Sequence, residues 1–281
     1  MKTVLITGCS SGFGRGMVDE FLRRGWQVIS TLRNADQRRE LLAEPLEQYG
    51  DRLCLLNLDV TDPLQRQAVI EFISQAGSLD CLVNNAGDRF FGPLEDLSEA
   101  QLRRQMEVNF YGSALLTQGL LPRIRQAQGT IIFVSSTFGY MGFPLTSAYC
   151  ASKYALEGLA ESLYYELKPH GVHVALIEPG ASRTNFGKDP AWAEQNSEAY
   201  KLQMENYHHL KARLRVRARH NTALVARKTA DLAEGRSRQL RVRVGRDAAI
   251  AYLYQRLVPD AIRLPLSNLL YRRIFLRGQP L

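Results

Sequence analysis

Cysteine is scarce in this chain of 281 residues, and long apolar runs are missing from it. The four cysteines, Cys9, Cys54, Cys81 and Cys150, show no metal-binding spacing, so we expect reduced, mostly buried thiols and no metal site. No apolar run reaches the roughly 18 residues that span a bilayer, and a strand-like segment directly after Met1 leaves no room for a signal peptide. These absences predict a cytoplasmic protein.

Acidic residues are sparse near the C-terminal end. Residues 201–281 hold 18 Lys/Arg against 5 Asp/Glu, a net charge of +13 in a chain of +8, so the first 200 residues carry −5. Such a surface suits plain solvation, an acidic partner or an anionic membrane, and no separate nucleic-acid module is visible. The tail LPLSNLLYRRIFLRGQPL (264–281) leaves two alternatives, peripheral membrane contact or docking on its own or a partner subunit.

Short apolar runs alternate with amphipathic helical stretches. The runs predict strands near 3–7, 27–32, 53–58, 79–83, 130–135, 173–177 and 239–244. Most are continuous rather than alternating, as in a sheet covered on both faces. Between the first two, Met17, Val18, Phe21 and Leu22 share one helix face, and Gly25 ends the helix. We therefore predict the α/β class: one Rossmann-type, doubly wound parallel sheet of about seven strands, with helices on both faces.

Two segments extend this single domain of residues 1–281. Residues 185–220 form a long insertion with apolar residues near helical spacing, namely Trp192, Tyr200, Met204, Tyr207 and Leu214. We predict a substrate lid, with a packing or dimer element as the alternative. Residues 246–281 are predicted to form a C-terminal helical extension.

The glycine-rich segment TGCSSGFGRG (7–16) follows the first predicted strand. It lacks the Gly-Lys-Ser/Thr of a triphosphate loop. Gly8 permits a sharp turn, while Gly12 and Gly14 allow a pyrophosphate and the helix N-terminus to approach closely. Because ligands of doubly wound sheets bind beside the first strand, we predict a dinucleotide site. Tight strand-to-helix packing is the alternative explanation of the glycines.

The end of the second strand indicates which dinucleotide is bound. It closes with VISTLRN, which has no carboxylate for a ribose hydroxyl, and Arg33 can bind a 2'-phosphate. The sequence therefore predicts NADP(H). The alternative is that Arg33 is a surface charge and Asp36 turns back to the ribose.

A tyrosine followed by a lysine four residues later shares one helix face, so the ammonium can lower the phenol pKa from about 10. The chain contains three such pairs, Tyr149–Lys153, Tyr164–Lys168 and Tyr207–Lys211. Only the first begins a helix close behind the end of a predicted strand, VSS. Tyr164 lies about 22 Å farther along that helix, and Tyr207 falls in the predicted lid. We interpret the latter two pairs as structural.

Seven segments together resemble the short-chain dehydrogenase/reductase superfamily over about residues 1–245. In chain order they are TGCSSGFG, LDVTD, VNNAG, VNFYG, VSS, YCASK and IEPG. Within that superfamily the chain is most similar to the branch of 17β-hydroxysteroid and retinol dehydrogenases, through GCSSG, STLR, GPLE and ASKYALEGLAESL. The resemblance implies an oxidoreductase acting on CH-OH donors and a homodimer or homotetramer paired through the helix of Tyr149.

The resemblance also implies catalytic roles. Tyr149 would exchange the proton of the substrate oxygen, and Lys153 would hold the nicotinamide ribose and keep Tyr149 acidic. Ser136 would hydrogen-bond the substrate oxygen, with Ser135 as the alternative that the spacing to Tyr149 disfavours. Asn109 would anchor a water linking Lys153 to solvent, or else only bend its helix.

Further positions match the cofactor contacts of the family. They are Gly8, Ser10, Ser11, Gly12, Phe13, Gly14, Arg33, Asp59, Val60, Asn85, Ala86, Gly87, Tyr149, Lys153, Pro179, Gly180, Ser182 and Thr184. Ser182 stands where the family usually has Val or Ile, and Asp88–Arg89 places charge where small or apolar residues are usual. That charged pair would either tune the substrate entrance or form an ion pair.

The predicted substrate wall is aromatic. Phe138, Tyr140 and Phe143 follow Ser136 closely, and Trp192 comes from the predicted lid. Such a wall favours a lipophilic ketone, aldehyde or secondary alcohol as the small-molecule substrate. Two alternatives are a 3-ketoacyl-thioester reductase, whose basic surface would receive an acidic carrier protein, and a non-catalytic NADP(H)-sensing regulator.

Overall fold

The computed structural model describes residues 1–181, 191–217 and 222–276. The strands in this part of the chain are β1 (Thr3–Ile6), β2 (Gln27–Leu32), β3 (Leu53–Asn57), β4 (Cys81–Asn84), β5 (Phe90–Phe91), β6 (Thr130–Val134), β7 (His173–Pro179), β8 (Ala191–Trp192) and β9 (Arg241–Val244). Seven of these pair in parallel in the order β3-β2-β1-β4-β6-β7-β9, and β5 pairs separately with β8. The predicted doubly wound parallel sheet is confirmed.

Helices connect the strands and cover the sheet. In the described residues they are α1 (Gly12–Arg23), α2 (Ala43–Tyr49), α3 (Pro63–Ala76), α4 (Glu99–Met106), α5 (Gly112–Gln126), α6 (Ser147–Leu167), α7 (Lys201–Arg217), α8 (Thr222–Ala233), α9 (Arg246–Leu257) and α10 (Asp260–Phe275). A π-helical turn, Glu107–Tyr111, joins α4 to α5.

The continuous apolar strands divide their side chains between two cores. In β1, Val4 and Ile6 face the core beneath α1 and α8, whereas Leu5 faces the core beneath α3, α5 and α6. All three side chains are fully buried, which is why the sequence shows a run rather than an alternation. Met17 and Phe21 of α1 join the first core, as their spacing predicts.

The strand order reverses beside β1, because β2 lies on one side of it and β4 on the other. At such a switch point the loops after the two strands diverge and leave a crevice at their carboxyl ends. The glycine-rich loop follows β1, and Asn85 follows β4 directly. The fold therefore opens its crevice at the segments that the sequence marks for a dinucleotide.

Part of the predicted lid and most of the C-terminal extension fall within the described residues. Helix α7 packs against α10 through an aromatic cluster in which Phe91, Tyr207 and Phe275 are buried. Residues 185–190 and 218–220 of the predicted lid and residues 277–281 of the tail lie outside the described residues.

Candidate active site

The glycine-rich loop is shaped by close backbone contacts. Gly8 has φ +73°, and a Cβ there would lie 2.9 Å from Cα of Ala86. A side chain at Gly14 would collide with the Gly8 carbonyl oxygen. Helix α1 begins at Gly12, where the amide groups of its first turn and its positive dipole end favour an anion. The loop thus has the form of a phosphate-binding turn.

Hydrogen bonds join the loops that follow β1 and β4. The hydroxyl of Thr7 accepts from the backbone amides of Asn85 and Ala86, both at 2.9 Å. The side-chain amide of Asn85 donates in turn to the carbonyl oxygens of Thr7 at 2.8 Å and Gly8 at 3.1 Å. The two sides of the crevice are therefore held in a fixed relation.

One cavity of about 500 Å³ runs from this loop to the first turns of α6. Its wall includes most of the predicted cofactor contacts: Gly8, Ser10, Ser11, Gly12, Phe13, Arg33, Asp59, Val60, Asn85, Ala86, Gly87, Tyr149, Lys153, Pro179 and Gly180. Gly14 instead packs behind the loop. The predicted contacts Ser182 and Thr184 lie outside the described residues.

Two arginines line the cavity end beyond β2. Arg33 follows the strand as predicted, and Arg38 is a second one that the sequence reasoning missed. Burial raises the pKa of Asp59, but hydrogen bonds from Thr61 and the charge of Arg104 outweigh it and hold that pKa below its usual range. Asp36 is exposed and is not part of the described cavity wall.

Ser136, Tyr149 and Lys153 meet where β6 and α6 come together. Ser136 lies two residues beyond β6, and its hydroxyl hydrogen-bonds the Tyr149 phenol. The Lys153 ammonium lies 5.8 Å from the Tyr149 ring centre and donates to the Val134 carbonyl oxygen at 2.8 Å. Ser135 also lines the cavity, but its hydroxyl lies beside Glu157. Of the two serines, the geometry therefore favours Ser136.

Burial and neighbouring charges shift the pKa values of Tyr149 and Lys153 in opposite directions. Burial holds the pKa of Tyr149 above its usual value, although the Arg89 guanidinium and the hydrogen bond with Ser136 act to lower it. Burial also lowers the pKa of Lys153 to about 8, against the charge of Glu157 one helical turn away. Arg89 is the largest of the influences that lower the Tyr149 pKa. The sequence predicts that role for Lys153, which is not among the groups that shift the Tyr149 pKa.

Asn109 fixes the loop that carries Arg89. It lies in the π-helical turn, and its amide oxygen accepts from the Asp88 amide at 2.8 Å. Its amide nitrogen donates to the Asp88 carbonyl at 3.0 Å and to the Ser152 hydroxyl at 2.9 Å. Asn109 and Lys153 both lie close to Gly87, since a Cβ there would be 3.4 Å from the Asn109 amide oxygen and 3.9 Å from the Lys153 ammonium. The structure thus brings Asn109 next to the other predicted catalytic residues.

The far end of the cavity is largely aromatic. Phe138 and Phe143 line it with stacked rings 5.5 Å apart, and Phe138 stands edge-on to Tyr149 at 6.0 Å. Phe91 and Tyr207 also line the cavity, as do Met141, Leu210 and the charged residues Arg89 and Lys211. Tyr207 was interpreted from the sequence as structural, but it reaches the cavity as well as the aromatic cluster.

Two predicted substrate contacts are placed elsewhere. The Tyr140 hydroxyl donates to the Ala248 carbonyl oxygen at 2.9 Å, which turns the ring toward α9 and away from the cavity. Trp192 packs behind Phe91 and Tyr207, with ring centres 5.8 Å and 6.1 Å away, so it supports the wall without lining it.

Comparison with known proteins adds to this geometry. Residues 2–194 match the family model for short chain dehydrogenase. The chain belongs to that family. It is 42% identical to the uncharacterized oxidoreductase YusZ of Bacillus subtilis over 66% of each protein, and 38% identical to retinol dehydrogenase 8 of Bos taurus over 66% of this chain and 60% of the relative. The matched part thus spans less than two thirds of either relative.

Similarity in structure extends further along the chain. A short-chain dehydrogenase from Streptomyces avermitilis is 36% identical, with a TM-score of 0.81 over 95% of this chain and 97% of that one. Members of this family are oxidoreductases that bind nicotinamide cofactors, and the crevice has the phosphate-binding turn that such a cofactor requires. The predicted relationship to the branch with retinol dehydrogenases is confirmed. In the described residues no helix is long and apolar enough to cross a membrane.

Proposed function

We propose that the protein is an NADP(H)-dependent oxidoreductase that transfers a hydride between the nicotinamide and a lipophilic ketone, aldehyde or alcohol. One observation carries the proposal. A single cavity joins the phosphate-binding turn, the Ser136–Tyr149–Lys153 set and an aromatic wall. Cofactor, proton donor and apolar substrate can therefore meet in one place.

The chain's own residues would hold the cofactor at three points. The glycine-rich turn and the start of α1 would take the pyrophosphate. Arg33 and Arg38 would bind a 2'-phosphate, and the carboxylate of Asp59 is already engaged by Arg104. Lys153 would donate to the nicotinamide ribose. A bound nicotinamide would supply or accept the hydride.

Proton exchange would occur at the phenol oxygen of Tyr149. In reduction the phenol gives its proton to the carbonyl oxygen, and in oxidation the phenolate removes the proton of the alcohol. The Arg89 charge favours the phenolate and so makes the proton easier to give. The Ser136 hydroxyl, beside the phenol, would donate to the same substrate oxygen as charge develops there.

The aromatic end of the cavity supports an apolar substrate. Phe91, Phe138, Phe143 and Tyr207 are among its lining residues, and aromatic walls of this kind bind apolar bulk. A relative that is 38% identical is named for retinol, a lipophilic alcohol. Both observations favour bulky apolar carbonyls over short polar ones.

Cofactor preference is tested by following reduced-nicotinamide fluorescence during titration with NADPH and NADH. We expect the wild-type protein to bind NADPH at least about tenfold more tightly, because two arginines can pair with the extra phosphate. The double variant Arg33→Ala/Arg38→Ala should lose that preference and keep its NADH affinity. Arg39→Ala, an exposed neighbour, is the matched control. Equal binding of both cofactors by the wild-type protein would disprove the NADP(H) assignment.

Substrate class is tested with a panel of ketones, aldehydes, secondary alcohols and acyl thioesters of increasing chain length. We expect kcat/KM to rise with apolar size among the carbonyls and alcohols. A clear preference for acyl thioesters, or for the shortest members of each series, would contradict the proposed substrate class.

A further inference from the structure

The described part of α9 and α10 exposes an apolar surface. Of the 17 large apolar side chains exposed in the described residues, eight lie between residues 250 and 270, each 52–71% exposed. We call seven of them, Ile250, Leu253, Leu257, Ile262, Leu266, Leu269 and Leu270, the C-terminal apolar face; the eighth, Leu264, lies on the side of α10 that carries Phe275. Solvent exposure of so many clustered aliphatic side chains marks a contact surface.

An arginine terminates each apolar stripe. One face of α9 carries, in chain order, Arg246, Ile250, Leu253 and Leu257. One face of α10 carries, at the same spacing, Ile262, Leu266, Leu269 and Arg273, so the arginine there comes last instead of first. Arg256 and Arg272 are also exposed. Among the described residues, none of these four arginines has an ion-pair partner. The surface therefore combines aliphatic side chains with uncompensated positive charge.

The opposite face of α10 is anchored to the body of the protein. Phe275 is 2% exposed and stacks on Tyr207, and its carbonyl oxygen accepts from the Asn206 amide at 3.0 Å. The Tyr254 hydroxyl joins α9 to α10 through Ser267 at 3.0 Å. These contacts hold the C-terminal apolar face outward as a fixed feature of the fold.

We propose that the C-terminal apolar face docks on the surface of an anionic lipid bilayer. Aliphatic side chains enter the boundary region, and the arginines at the ends of the stripes contact headgroup phosphates. A bilayer fits this surface better than a second copy of the chain does. In a twofold contact the arginines of both copies would approach each other. The acidic side chains of α9 and α10 are already engaged, Asp247 by the Ala181 backbone amide and Asp260 by Arg263.

Docking would also place the catalytic cavity near the lipid. Ala251 of α9 lines that cavity, and Tyr207, against which Phe275 stacks, lines it as well. A lipophilic substrate could then reach the cavity from the bilayer. The docking itself does not depend on the proposed reaction, so its test uses binding rather than turnover.

The test is co-sedimentation of the full chain with vesicles of phosphatidylcholine alone or with one quarter phosphatidylglycerol. We expect partition onto the anionic vesicles, weaker partition onto neutral ones, and release as salt rises. Leu266→Gln/Leu269→Gln should reduce partition at least about tenfold, since it removes two side chains from the inserted face. Leu64→Gln/Leu94→Gln, at sites 80% and 60% exposed elsewhere, is the matched control and should bind like the wild type.

The charge is tested by Arg246→Gln/Arg273→Gln, with Arg39→Gln/Arg125→Gln as the control pair of exposed arginines. The first pair should weaken binding to anionic vesicles more than the control pair does. The proposal is overturned if the wild type does not bind anionic vesicles, or if each variant binds as its control does. It is also overturned if Leu266→Gln/Leu269→Gln lowers the oligomeric state in analytical ultracentrifugation and leaves vesicle binding unchanged.

Discussion

Tyr149 is buried, and burial by itself raises the pKa of a phenol because the charged form loses its hydration. A proton-exchanging tyrosine needs a pKa closer to neutrality, so neighbouring groups must act in the opposite direction. In this chain Arg89 does so, from a loop that Asn109 and Gln105 hold by side-chain hydrogen bonds. At the scale of the residue, the departure from the family pattern at Asp88–Arg89 thus supplies charge to the proposed reaction.

Replacing Arg89 tests that role. In Arg89→Met the pKa of Tyr149 should rise. The pH at which alcohol oxidation reaches half its maximum should rise with it. Below that pH the activity should fall about tenfold for each unit by which the pKa rises. Arg89→Lys should restore part of the shift, since it keeps a positive charge. Arg103→Met, at an exposed arginine, is the control. An unchanged pH profile of kcat/KM in Arg89→Met would show that the guanidinium does not act on the phenol.

At the scale of the element, mostly continuous apolar runs predicted six strands of the sheet, and the alternating segment RVRV predicted the seventh, β9. Motif spacing was enough to bring Ser136, Tyr149 and Lys153 together. Strands β5 and β8, of two residues each, lack any pattern, because their pairing depends on chain segments about 100 residues apart. Phe91 therefore could not be assigned to the cavity wall from the sequence. Arg38 lies in the irregular 3-10 segment Asp36–Leu42 after β2, which shows no apolar period that would place its side chain. Tyr140 was misplaced because a backbone carbonyl on α9 determines its direction.

Strand β7 contains a carboxyl group with no solvent exposure, Glu178. Its partners are on β9, with nitrogen-to-oxygen distances of 3.1 Å to Arg243 and 3.5 Å to Arg241. Burial, with the charge of Glu157, raises its pKa to about 7 despite the two arginines. In the unfolded chain the pKa of this carboxyl group is about 4.5. Between about pH 4.5 and pH 7 the unfolded chain has therefore released the proton, while the folded chain still retains it. The contribution of Glu178 to stability therefore falls as pH rises through this window.

Glu178→Gln removes that titration. Relative to the wild type, its free energy of unfolding should improve between pH 4.5 and pH 7, by an amount on the order of 1–3 kcal/mol. Denaturant unfolding at several pH values measures the difference. Glu161→Gln, which removes the more exposed carboxylate beside Arg241, is the control. A difference between Glu178→Gln and wild type that does not change with pH would contradict the raised pKa.

At the scale of the whole molecule, the cavity is built from both halves of the sheet. Its walls come from the loops after β1, β2 and β4 on one side and from β6, α6 and the segment after β7 on the other. A cofactor bound there contacts both halves, so its binding energy adds to the stability of the folded state. Helix α7 lines the cavity through Tyr207 and α9 lines it through Ala251, so the cavity wall and the C-terminal apolar face share α9.

Thermal unfolding measures this linkage. NADPH at about 100 times its Kd should stabilise the fold by about 2.7 kcal/mol and raise Tm by roughly 5 to 10 °C. Gly14→Ala should lose most of this rise, because its Cβ would lie 2.7 Å from the Asn85 amide and displace the phosphate-binding turn. Gly142→Ala meets no atom within 4 Å and should keep the full rise. The same rise in all three proteins would mean that the cofactor does not bind at this turn.

The measurement that tests the central claim most directly is turnover by Tyr149→Phe with NADPH and the best carbonyl substrate of the panel. The substitution removes only the phenol oxygen, so NADPH binding by fluorescence titration should remain within about twofold of wild type. Steady-state kcat should fall at least about a hundredfold, the contribution typical of a positioned acid or base. Wild-type turnover by Tyr149→Phe, with NADPH binding intact, would show that the proton exchange occurs elsewhere.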